Sequence, residues 1–183
     1  MIRLVPLVVA GVAALGVLTA CGSPSSAAPA VSAAADGHTA AAAAAILMAS
    51  DKHYRDEFHQ GQAIIGHTQY ADGAAGMAAM DDPTSAAARF RDYRQNPGPE
   101  RDLSGDDAFK QADANFTADT EPQAIRDWQN DLTPLTSDLI GWVLAAADYQ
   151  IQGKTQADLD AAAAKVEQDL GKLDADAAAV GKG

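Results

Sequence analysis

The side chains of this 183-residue sequence that could do more than pack are four histidines, a methionine pair, an arginine cluster and two tryptophans. His38, His53, His59 and His67 fall in one stretch and invite a metal or haem reading. Spacing argues against a shared site. His53 and His67 are fourteen residues apart, about 21 Å along a helix at 1.5 Å per residue. With Leu47 at 0° on a helical wheel, His53, His59 and His67 point to roughly 240°, 120° and 200°, off the apolar stripe. His53 and Glu57 stand one turn apart and could share a cation, yet no further ligand is near in sequence. Surface histidines are the expectation, and no metal or cofactor is assigned. Met77 and Met80, with Met48, carry the soft sulfur that Cu(I) prefers. Filling gaps under a loop is the commoner use of methionine and the expected one.

Arg89, Arg91, Arg94 and Arg101 place four of seven arginines within thirteen residues, interleaved with Phe90 and Tyr93. In a strongly acidic chain this is the candidate patch for an anionic partner such as headgroups or cell-wall phosphate. The plainer reading buries Phe90 and Tyr93 and pairs the arginines with Asp92 and neighbouring acids. Trp128 and Trp142 fall on an inward stripe and are expected in the core. Gly-x-Ser-x-Gly, His-Glu-x-x-His, the full Gly-x-x-x-x-Gly-Lys-Ser/Thr Walker loop and a Gly-rich dinucleotide turn do not occur. Carboxylate pairs such as Asp81/Asp82 and Asp106/Asp107 are expected by chance among 25 acids. No catalytic residue is assigned, and the chain is read as a non-enzyme.

The elements that carry these residues follow from composition. Hydrophobic residues make up 48% of the sequence, much of it alanine, and aromatics only 5%. That favours helices with close small-residue contacts over an aromatic-rich sandwich. A formal charge of −12 argues against nucleic-acid binding, which needs cations to displace phosphate counterions. It also argues against adhesion of the whole surface to anionic lipid.

Residues 1–20 have the three parts of a secretory signal: Arg3, an apolar run from Leu4 to Leu18, and the small pair Thr19-Ala20. The run is about fifteen residues, short of the roughly twenty that span a bilayer. Leu18-Thr19-Ala20-Cys21 resembles the lipobox of bacterial lipoproteins, and Cys21 is the sole cysteine. The whole chain is similar to the small Ala-rich lipoproteins of high-GC Gram-positive bacteria such as mycobacteria. The resemblance implies a diacylglyceryl group on the Cys21 sulfur, cleavage before it, and acylation of the new amino group. Two or more acyl chains anchor stably where one is marginal, at roughly 0.8 kcal/mol per buried methylene. A lipidated Cys21 leaves no thiol for a disulfide, a metal or a nucleophile.

Residues 21–38 are the lipidated cysteine and a Ser/Pro/Ala tether without apolar period, expected to be disordered. Residues 39–183 form the domain. The first helix should start at Thr39 and run to Tyr70, with Leu47, Tyr54, Phe58 and Ile65 within about 40° on its wheel. Asp72-Gly73 reads as a stop, followed by a small-residue link through Met77 and Met80. Asp82-Pro83 should open a second helix to Gln95 with Ala86, Phe90 and Tyr93 inward, broken by Asn96-Pro97-Gly98-Pro99. Ser104 can cap a short helix carrying Ala108, Phe109, Ala112 and Phe116. Ile125, Trp128, Leu132, Leu135, Leu139, Trp142, Ala146 and Tyr149 alternate steps of three and four. Pro134 inside that run predicts a kink, or a break with Thr133 as a fresh cap. Gly153 should end it. Thr155-Gln156-Ala157-Asp158 resembles a capping box for a last helix with Leu159, Ala163, Val166, Leu170, Leu173, Ala177 and Val180 inward.

The expected fold is all-α, an antiparallel bundle of about four main helices with one or two short extra ones. The expected function is a lipid-anchored, non-enzymatic binding or interaction module on the extracytoplasmic side of the cell membrane. Its partner would be an envelope protein or ligand. The alternative is a carrier or sensor of a small apolar ligand or metal ion.

Overall fold

Thr39 opens the first helix as its sequence context predicts: in extended backbone, its Oγ1 accepts from the Ala42 N–H at 3.0 Å. The computed structural model of the chain describes residues 39–95 and 104–182. The leader, Cys21, the tether, the Asn96-Pro97-Gly98-Pro99 break and Arg101 lie outside the described residues. Among the described residues there are six α-helices and no strand. None of these helices is long and apolar enough to cross a membrane.

Helix α1 (Ala40–Ile65) stops short of the expected Tyr70. Gly66 takes φ +50°, a left-handed turn that costs glycine little, and its N–H closes on the Gln62 carbonyl at 2.9 Å. Asp72, expected to be part of a stop, instead caps α2 (Gly73–Ala79) by accepting from Ala75 N–H at 2.8 Å. The supposed small-residue link is therefore a helix. Helix α3 (Ala86–Gln95) starts later than Asp82-Pro83. The Asp82 carboxylate takes the Thr84 N–H and hydroxyl at 2.9 and 2.7 Å, an Asx-type turn that leaves the cap to Ser85, whose Oγ accepts from Ala88 N–H at 3.0 Å. Ala87 and Ala88 are buried in place of the expected Ala86. Helix α4 (Ser104–Asp113) takes Ser104, the expected cap, as its first residue and buries Ala108 and Ala112; Phe109 is half-covered against the core, as is Phe116, which lies past the helix end and not on it.

Helix α5 (Gln123–Gln150) runs through Pro134 in one piece, so Thr133 caps no new helix. Both Pro134 and Asn130, whose carbonyl loses its donor, are exposed, and water can take that acceptor. The helix ends before Gly153. Gln152 adopts φ 62° and donates its N–H to the Tyr149 carbonyl at 3.1 Å, while Gly153 N–H reaches the Asp148 carbonyl at 2.8 Å. This paired closure is a Schellman motif. Helix α6 (Gln156–Val180) begins with the predicted capping box: Thr155 Oγ1 accepts from Asp158 N–H at 3.2 Å, and Asp158 accepts from Thr155 N–H at 2.9 Å.

The tight turn after α5 lays α6 antiparallel against it. Helix α1 also runs antiparallel to α6: Arg55 pairs with Glu167 and Asp174, His59 with Glu167, and His67 with Gln156. Helices α1 and α5 run side by side and meet through long side chains, Phe58 edge-on to Trp142 at 5.0 Å and Trp128 to Asp51. The remaining side of α1 takes α3 and α4. The three-four stripes are buried as read, from Leu47 to Ile65 and from Ile125 to Tyr149; on α6 only Ala163 falls half-covered. Full burial of each large aliphatic or Phe side chain contributes about 1.5–3 kcal/mol.

Close approach to α1 depends on two glycines. A Cβ on Gly61 would sit 2.6 Å from the Trp142 ring and 2.8 Å from Tyr93. One on Gly105 would sit 2.6 Å from Leu132 and 2.7 Å from the Tyr54 hydroxyl. Overpacking costs about 1–3 kcal/mol, against which alanine's better helix propensity returns up to about 1. Gly61→Ala should therefore lower the melting temperature by several degrees. Gly141→Ala and Gly171→Ala, where a Cβ meets nothing within 4 Å, should raise it slightly by about 0.5–1 kcal/mol of added stability. Thermal melts of the three variants check the contrast; a Gly61→Ala protein as stable as Gly141→Ala would contradict this packing.

Candidate functional site

The turn at Gly66 sends the chain across the end of α5, where the last carbonyls of a helix lack intrahelical donors. Tyr70 N–H donates to the Gln150 carbonyl at 2.6 Å and Gln69 Nε2 to the Tyr149 carbonyl at 3.2 Å. Gln152 Nε2 returns a bond to the Tyr70 carbonyl at 2.8 Å. The Tyr70 hydroxyl then accepts from Ala87 N–H at 3.1 Å, so one residue ties the end of α5 to the start of α3. Ser85 Oγ donates to the Ala79 carbonyl at 2.6 Å and Arg91 Nη1 to the Met80 carbonyl at 3.2 Å, fixing α3 to the end of α2.

These bonds frame a half-open groove of about 510 Å³. Small-molecule sites run from about 300 to 1,000 Å³. Tyr70, Met80, Ala87, Phe90 and Ala147 make apolar walls; Met77 and Ile151, both largely exposed, stand at the rim. Arg91, Arg94, Gln95, Asp148 and Gln150 supply the polar groups. Arg91 is held in place, since its Nε and Nη2 also donate to Asp92 at 3.0 and 2.8 Å. Gln150 is only 5% exposed, and its Nε2 has no acceptor among the described residues. A buried donor left unpaired costs about 1–3 kcal/mol, so a polar atom delivered there gains more than it would on the surface.

The structure separates the residues singled out by sequence. Arg91 and Arg94 line the groove; Arg89 is exposed and does not, and Arg101 is outside the described residues. Met77 and Met80 line it, whereas Met48 lies exposed on α1. The described histidines stay apart on the surface: His53 beside Glu57 at 3.7 Å, His59 on Glu167 at 2.9 Å, His67 on Gln156 at 3.4 Å. Among the described residues no group of three or more His, Cys, Asp or Glu is placed to hold a metal ion. Trp128 and Trp142 are core residues. Asp107 pairs with Lys110 at 3.5 Å, and Asp82 serves its turn.

Asp51 and Gln150 were not singled out by sequence reasoning, although a local signal existed for each. Asp51 follows Leu47 by four residues and precedes Tyr54 by three, which puts it on the apolar stripe; Gln150 follows Ala146 by four. Asp51 is fully buried, its Oδ1 accepting from Trp128 Nε1 at 2.9 Å and its Oδ2 unpartnered. Burial pushes its carboxyl up to about 7; Asp174 and Asp176 add to the rise, while the Trp128 bond and Arg55 oppose it. Asp176 is raised as well, by burial and then by Asp131 and Asp127. This acid pair belongs to the packing of α1, α5 and α6, not to the groove.

No family model matches the sequence, and neither a curated protein nor a solved structure matches the chain.

A carboxyl whose folded pKa is raised binds its proton more tightly in the folded state, so it removes stability as pH climbs from the unfolded value near 3.8 to about 7. Above that the penalty is constant. Asp51→Asn keeps an acceptor for Trp128 without a charge. The variant should melt several degrees higher than the wild type at pH 8, with the gap closing as pH falls toward 4. Melting curves across that range check it; a constant gap would show that Asp51 does not titrate as its burial requires.

Proposed function

We propose that the chain is an extracytoplasmic lipoprotein, anchored at the membrane by lipid on Cys21, whose helical domain is a non-enzymatic binding module for a small, largely apolar molecule. The observation that carries the binding role is the groove between α2, α3 and the end of α5. It combines apolar walls, an exposed Met77–Ile151 rim and a buried amide with an unmet donor. Supporting the anchor are the Leu18-Thr19-Ala20-Cys21 sequence and an acidic composition that gives the rest of the surface little attraction for anionic lipid.

Gly73 offers a clean test. It lines the groove at the first position of α2, and a Cβ there meets nothing within 4 Å. A phenylalanine at this position adds a ring beside the groove without disturbing the core. Native mass spectrometry of the full chain purified from its membranes should show a small molecule bound one per protein, absent from Gly73→Phe. An empty wild-type protein that crosslinks to a single envelope protein would replace this reading with a protein-interaction module. For the anchor, Cys21→Ala should release the protein from the membrane fraction or leave it unprocessed. Mature Cys21→Ala protein that still partitions fully into detergent would sink the anchor.

A further inference from the structure

We infer that the groove takes a single-chain amphiphile with one anionic head, its chain along the Met80–Phe90–Ile151 wall and its carboxylate or phosphate beside Arg91, Arg94 and the Gln150 amide. The inference rests on the groove being a ligand site and specifies what fills it. A chain with 25 acids against 13 Lys and Arg turns two arginines onto one apolar wall. A guanidinium has five N–H donors in a fixed fork. Arg91, which lines the groove, spends three bonds on Met80 and Asp92 that orient its fork, out of five N–H donors. The Gln150 Nε2 is buried without an acceptor, and a head oxygen is an acceptor only.

Asp148 lines the same groove, and the carboxyl-terminal ends of α3 and α5 face it, all of which disfavour an anion. The α5 end is largely offset, because Gln69, Tyr70, Gln152 and Gly153 already donate to its last carbonyls. Charge alone therefore does not make the groove an anion site. The groove selects its head by directed hydrogen bonds, which are strongest where donor and acceptor both carry charge.

Isothermal titration of the full-length Cys21→Ser chain in detergent-free buffer tests this, using dodecanoate, dodecyl phosphate, dodecanol, dodecyltrimethylammonium and inorganic phosphate below micellar concentrations. Subtracting the Gly73→Phe protein removes binding elsewhere on the chain. Dodecanoate or dodecyl phosphate should bind one per chain, about tenfold or more tighter than dodecanol. The tighter of the two identifies whether the head is a carboxylate or a phosphate. Arg94→Gln, which spares the Arg91 bond that fixes α3 to α2, should weaken dodecanoate or dodecyl phosphate binding several-fold more than dodecanol binding. Equal binding of acid and alcohol, or tighter binding of the ammonium, overturns the anionic head and leaves the apolar groove standing. Inorganic phosphate binding as tightly as dodecyl phosphate overturns the amphiphile. If no chain-bearing compound distinguishes wild type from Gly73→Phe, the groove itself is not a ligand site.

Discussion

The bundle depends on how few large side chains it has and on their gathering around α1. In a chain of alanine-rich helices most contacts are short, and two such helices can slide past each other at small cost. Rings break that freedom. Phe58, Trp142, Phe90 and Tyr93 form one cluster, with Phe58 and Phe90 each edge-on to Trp142 at 5.0 and 6.1 Å, and Phe90 stacked on Tyr93 at 5.7 Å. Such pairs add about 0.5–1.5 kcal/mol beyond the area they bury. The cluster joins α1, α5 and α3, and Gly61 is the gap in α1 that admits it. Phe90 is also a wall of the groove. The aromatic core thus supplies the groove's Phe90 wall.

Asp51 addresses the sliding in another way. A one-turn slip of α1 against α5 would carry its carboxyl away from Trp128 Nε1 and strand two buried polar groups, at about 1–3 kcal/mol each. Apolar stripes of Leu, Ala and Val tolerate such a slip far better, since any register buries similar area. The acid costs stability in the native register, because burial opposes its charge, and it costs more in every other register. A polar pair inside an otherwise smooth interface exchanges stability for a single arrangement of helices.

What could be read from sequence follows the same division. The stripes from Leu47 to Ile65, Ile125 to Tyr149 and Leu159 to Val180 are local 3.6-residue patterns, and they marked the buried apolar faces of α1, α5 and α6 apart from Ala43, Ala44, Ile64 and Val143. The caps at Thr39 and Thr155 are equally local. Asp72 and Asp82 were less legible, because the same carboxylate can close one element, open the next or hold a turn, and the choice is made by which amide the chain brings near. Pro134 was misjudged as a possible break because its cost depends on facing solvent, a tertiary property. The groove had no local signature at all. Its walls come from residues 70–80, 87–95 and 147–151, brought together by the Tyr70 bonds to Gln150 and Ala87. Rotation divides the arginine cluster: Arg91 and Arg94 are about 60° apart on α3, while Arg89 lies about 160° from Arg91 and faces elsewhere, at 100° per residue.

Thr39 and the groove stand at opposite ends of α1. The helix has 26 residues, about 39 Å at 1.5 Å per residue, with the chain leading back toward Cys21 at one end and Gly66, Tyr70 and the groove at the other. Asp51 and the α6 acids lie between them. Sites so far apart, with no shared partner, contribute independently to stability and binding. The walls of the groove on α2, α3 and the end of α5 can therefore vary without touching the register pair or the start of α1. The two regions still share one ring: Phe58 of α1 meets Trp142 in the register that Asp51 and Trp128 set, and Phe90 packs edge-on to that same Trp142.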